Sequence, residues 1–157
     1  MMSRVRNPLV VSCVFLWVGF VCAISFMEAW LKFQAPGVTL PIGLGIGRLV
    51  FKALNQIEWV FAIVIVLNFV LRRIRKANNK MVFLVIPLMI LTIQTLELLP
   101  ALDARALQVI KGDFNEPSFT HTVYIILEAI KVISLLIFGS TLFLQPRFKV
   151  APTEPQH

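Results

Sequence analysis

The sequence predicts an all-α polytopic membrane protein: a four-helix transmembrane bundle with both termini on the cytoplasmic side. Three observations predict it. The chain has 157 residues, of which 58% are hydrophobic and only 15% charged, with a mean hydropathy of +0.84; soluble domains average roughly 25% charged residues. The apolar excess is gathered into four long runs, each of a length that suits a membrane span. The basic residues gather in alternate segments outside those runs, as the positive-inside bias requires.

The first span is expected over residues 8–33. Arg4 and Arg6 precede it, and Pro8 to Met27 carries no charge, enough to cross about 30 Å of hydrocarbon. A cleaved signal peptide is the competing reading, since Val21-Cys22-Ala23 resembles a cleavage site. The run is longer than a typical apolar signal region and continues amphipathically to Phe33, which favours a retained helix. Residues 34–42, with Pro36-Gly37 and Pro41, form an uncharged turn.

The second span, residues 43–71, begins with polar side chains and becomes apolar from Trp59 onward, Asn68 excepted. Gly43, Gly45 and Gly47 do not match the spacing of a nucleotide-binding loop. The Gly43-x-x-x-Gly47 pair suits close helix packing, within the chain or between subunits. The third span covers 81–99, with Pro87 inside it. A polar connection follows from Pro100 to Thr120, in which 104–110 has room for a short interfacial helix. The fourth span covers 121–145. Residues 1–149 thus read as one four-span domain, and 150–157 as a disordered tail.

The net charge of +7 raises the question of nucleic acid, but five of the 15 basic residues, Arg72, Arg73, Arg75, Lys76 and Lys80, lie in the short loop between the second and third spans. They act as a topology signal and no nucleic-acid partner is expected. Cys13 and Cys22 share the first span. Nine residues apart on a helix, they are about 13 Å from each other, too far to pair. No cofactor or metal is expected: paired Glu-x-x-His motifs, HExxH and a P-loop are all absent from the sequence.

The polar residues within the spans carry the functional information. Helical spacing places Ser25, Glu28 and Lys32 on one face of the first helix and Arg48, Lys52, Asn55 and Glu58 on one face of the second. Gln94 and Glu97 share a face of the third, and His121, Tyr124, Glu128 and Lys131 a face of the fourth. A charge at mid-membrane costs at least ~2.5–3.5 kcal/mol, so the four stripes are expected to converge inside the bundle. Glu58 and Lys131 lie at similar depths, roughly 21 and 15 Å from the outward ends of their helices, and are candidate partners. Trp59 suits bundle packing, with a cation–π contact to Lys131 as the alternative.

The expected pocket comprises Glu28, Arg48, Lys52, Asn55, Glu58, Glu97, His121, Glu128 and Lys131, with Lys32 among its bases. Three uses of it stay open. It is a neutralising ion-pair network, or a site that binds or transports a small polar or zwitterionic ligand, or a membrane-embedded enzyme using His121 or a glutamate as acid and base. A transporter of this size would need to form a homo-oligomer.

The segment Ser25 to Asn55 and the His121–Tyr124–Glu128–Lys131 pattern resemble a group of small bacterial four-span membrane proteins. The likeness covers about half the chain and implies a bacterial inner-membrane setting and the four-span fold, without an activity. A looser likeness, Trp30-Leu-Lys-Phe33 followed by Arg48-Leu-Val-Phe51, resembles the transmembrane-protein-205-like family and likewise implies no mechanism.

Overall fold

In the computed structural model, which describes residues 7–71, 81–112 and 119–143, four helices pack as a bundle. They are α1 (Pro8–Gln34), α2 (Leu40–Leu71), α3 (Val82–Ile110) and α4 (Thr120–Thr141), and each is long and apolar enough to cross a membrane. Their most apolar stretches have mean hydropathies of 1.9 to 2.5, yet no more than 39% of any such stretch is buried. Apolar surface therefore faces outward on every helix, at residues such as Leu16, Val60, Ile63, Met89 and Ile133. That pattern fits lipid as the solvent and makes this an integral membrane protein. The basic loop at 72–80, the terminal tails and residues 144–145 of the fourth span lie outside the described residues.

The core follows helical periodicity. Val10, Val14, Trp17 and Val21 of α1 form one seam, which packs against Leu54, Ala62 and Ile65 of α2, Leu84 and Leu91 of α3, and Leu135 and Phe138 of α4. Asn7, just before α1, donates a side-chain hydrogen bond to Asn68 near the end of α2.

Prolines and glycines set the helix ends. Ala35-Pro36-Gly37-Val38 closes a tight turn, with the Val38 amide donating to the Ala35 carbonyl at 3.2 Å and Gly37 at φ +81°. Proline then a positive-φ glycine is the pattern of a type II turn. The helix after it starts at Leu40, three residues earlier than expected, because Pro41 fits a first helical turn, where its missing N–H is no loss. Gly43 and Gly47 do admit close packing, but what they admit comes from the same chain. A Cβ at Gly43 would stand 2.1 Å from the Phe33 ring, and one at Gly47 2.8 Å from the Lys32 ammonium.

The third helix does not end at Leu99. It runs on through Pro100 to Ile110, absorbing the segment read as an interfacial helix. A widened π turn at Gln94–Leu98 ends two residues before the proline, with the Leu99 amide donating to the Gln94 carbonyl. In a regular helix the Pro100 ring would crowd the carbonyl four residues back, and the wider turn relieves that crowding. The helix finally stops at Gly112, where φ is +89°.

Pro87 is accommodated differently. It lies inside α3 and cannot donate to the Phe83 carbonyl one turn back. The Ser134 hydroxyl of α4 donates to that carbonyl instead, at 3.0 Å. Ser134→Ala should therefore cost about 1 kcal/mol in the wild type, and little in a Pro87→Ala background whose backbone amide is restored. Detergent-unfolding titrations of the two single variants and the double variant measure this coupling.

Candidate functional site

The residues expected in one pocket occupy three levels along the bundle. The deepest is a closed network at its middle, to which all four helices contribute. Trp17 (α1), Glu58 (α2), Gln94 (α3), and Glu128 and Lys131 (α4) are each fully buried. The Lys131 ammonium donates to Glu58 Oε1 at 2.5 Å and stands 3.2 Å from Glu128 Oε2, an ion-pair distance without hydrogen-bond alignment. The Trp17 indole N–H donates to the same Glu58 oxygen at 2.8 Å, and Gln94 Nε2 donates to Glu128 Oε1 at 3.3 Å. Buried Tyr124, one turn before Glu128 on α4, directs its hydroxyl to that carboxylate.

The sequence builds this level by spacing alone. Glu58 falls on the α2 face that also carries Leu54, Ala62 and Ile65, and Lys131 on the α4 face of Tyr124, Glu128, Leu135 and Phe138. Glu58 and Lys131 thus meet as expected from their depths. Trp17 is the member that sequence reasoning missed. Its signal is its position: an indole mid-run, far from the interfacial zone where tryptophan is favoured, needs an acceptor for its N–H.

The second level is a side-chain junction between α2 and α3. Asn55 Nδ2 and Trp59 Nε1 both donate to the Thr95 hydroxyl at 2.9 Å, and Thr95 in turn donates to the Leu91 carbonyl at 2.7 Å. Asn55 and Trp59 are one helical turn apart, so a single hydroxyl serves both. The Trp59 indole finds its partner in Thr95; the ammonium that does lie over aromatic rings is Lys32, 5.5 Å from the centroids of Phe33 and Phe51.

The third level is a cavity of about 680 Å³ at the end of the bundle marked by Pro36. It lies mainly between α2 and α3, and its polar lining is Lys32 (α1), Arg48 and Lys52 (α2), Thr95, Asp103 and Arg105 (α3), and His121 (α4). Arg48 forks onto Asp103, Nε to Oδ1 at 2.5 Å and Nη2 to Oδ2 at 3.0 Å, the bidentate geometry that suits guanidinium and carboxylate. Lys32 pairs with Glu28 Oε2 at 3.3 Å, one turn back on α1. Lys52 is exposed and forms no ion pair within 4 Å among the described residues.

Of the nine residues expected together, Glu58, Glu128 and Lys131 join the closed network and Asn55 the junction. Arg48, Lys52 and His121 line the cavity, and Glu28 reaches it through Lys32. Glu97 is exposed and does not line the cavity. His121 has no ion pair with a carboxylate within 4 Å among the described residues. Asp103 and Arg105, unassigned in the sequence, belong to the cavity because α3 continues past Pro100. Among the described residues no three His, Cys, Asp or Glu side chains group as metal ligands.

No family model, curated protein or solved structure matches the chain. The likenesses carried by residues 25–55 and 121–131 accordingly stand at the level of the four-span architecture itself.

Proposed function

We propose that the protein binds a small polar ligand in the cavity at the Pro36 end, and that the mid-bundle network serves as its scaffold. One observation carries this reading: the cavity draws polar side chains from all four helices into one open volume, whereas the Glu58–Lys131–Glu128 cluster is sealed from solvent. A concave site with mostly apolar walls and a few convergent polar groups is the usual form of a ligand pocket.

The same proposal has an orientation. Basic residues at 4–6, 72–80 and 147–149 support an orientation with both termini in the cytoplasm and the cavity on the opposite face; the resemblance of residues 25–55 and 121–131 supports a bacterial inner membrane.

Gly45 supplies the test. It lines the cavity, and a Cβ added there meets nothing within 4 Å, so Gly45→Leu has room at its first carbon to project into the volume and narrow it. Native mass spectrometry of the purified protein should show a retained small molecule that Gly45→Leu loses while its helical circular dichroism is unchanged. Identical spectra for the two proteins would contradict the reading.

A further inference from the structure

We infer that the ligand of this cavity is an anionic amphiphile, a phosphate headgroup carrying an apolar chain, and that Asp103 is the carboxylate with which its headgroup competes. The inference rests on the proposed binding role of the cavity and specifies what is bound there.

The first argument is charge. Lys32, Arg48, Lys52 and Arg105 line one volume, and among the described residues Asp103 is the single carboxylate in that lining. Four cationic side chains gathered in a partly desolvated cleft repel one another and concentrate an attractive field for anions. Glu28, outside the lining, serves Lys32. Asp103 serves Arg48 through the fork and also lies within electrostatic reach of Lys52. One carboxylate is thus shared by a guanidinium and an ammonium, the pair of donors that suits a phosphate: bidentate from arginine, point-charge from lysine. A zwitterionic ligand would bring a cation of its own into a cleft where the one acid is already engaged.

The second argument is the rest of the wall. Leu44, Leu49, Phe51 and Leu99 are among the apolar residues of the lining, surface that an inorganic anion would not use. Leu49 lines the cavity and is also 72% exposed on the outward face of α2. The apolar wall is therefore continuous with the lipid-facing surface, and a chain attached to a bound headgroup has a path along it into the bilayer.

A phosphate headgroup can come from a membrane lipid or from a soluble phosphate, and two arms separate these sources. In the first, the full-length protein is extracted from vesicles of equal phosphatidylglycerol and phosphatidylcholine, and retained lipid is counted by native mass spectrometry. Wild type should retain the anionic lipid preferentially. Lys52→Gln should reduce that preference. Asp103→Asn should raise it roughly tenfold, since a charged competitor for Arg48 is removed. In the second arm, inorganic phosphate is titrated onto delipidated protein in detergent while thermal stability is followed. Saturable stabilisation that Lys52→Gln abolishes, without retained lipid, would overturn the amphiphile and assign the cationic lining to a soluble phosphate instead.

Lipid retained without regard to headgroup charge, together with no response to phosphate, overturns the inference. If the retained molecule is nonetheless lost in Gly45→Leu, the binding role of the cavity survives that failure. If Gly45→Leu changes nothing in either arm, both fall. Circular dichroism on each variant separates loss of binding from loss of fold.

Discussion

Lys131→Met should remove a large part of the stability of the bundle, about 3–5 kcal/mol out of the roughly 5–15 kcal/mol typical of folded proteins. The substitution keeps the length of the side chain and deletes the only cation in a fully buried cluster that contains Glu58 and Glu128. Two carboxylates then face each other in a site that water does not enter. Trp17, Gln94 and Tyr124 are the donors left to them. Unfolding by a denaturing detergent, followed by circular dichroism, measures the loss. The size of the effect reports the penalty of an orphaned charge rather than the net value of the ion pair. Glu58→Gln/Glu128→Gln/Lys131→Met, which removes all three charges and keeps acceptors for Trp17 and Gln94, should therefore be about as stable as wild type.

Trp17→Phe is the second large effect. The ring remains to fill the seam of α1, but Glu58 loses the 2.8 Å hydrogen bond from the indole N–H. A hydrogen bond to a charged group contributes about 1.5–3 kcal/mol, and one between neutral groups about 0.5–1.5 kcal/mol. The same substitution should thus cost less in the uncharged triple variant than in wild type. Equal losses in the two backgrounds would mean that Trp17 acts through packing alone. The comparison is a thermodynamic cycle in the same unfolding assay.

The fold is largely legible in the sequence because membrane helices announce themselves by length. A run of some 20 apolar residues has few other uses. The interior charges are legible for a related reason: a lipid-facing glutamate or lysine is so costly that the stripes on four helices have to converge. Similar depth then pairs Glu58 with Lys131, 73 residues apart.

The unread parts depend on contacts that local rules cannot supply. Pro100 has the local signature of a helix end, and the π turn at Gln94–Leu98 overrides it. Once α3 continues, Asp103 comes level with Arg48, 55 residues away in the chain. Trp17 looks like one more apolar side chain until Glu58, 41 residues on, is placed beside it. One pocket divides into three levels for a geometric reason. Arg48, Lys52, Asn55 and Glu58 share a face of α2, but ten residues of helix separate the first from the last by about 15 Å. Each meets a different neighbour.

That division is the central claim: a sealed charge network holds the bundle together, and binding belongs to the cavity at its end. The most direct measurement is lipid retention by Glu58→Gln/Glu128→Gln/Lys131→Met, purified and analysed by native mass spectrometry beside wild type. A folded variant that retains anionic lipid as wild type does is the expected result. A folded variant that has lost retention would contradict the claim, because it would make the buried network part of the binding machinery.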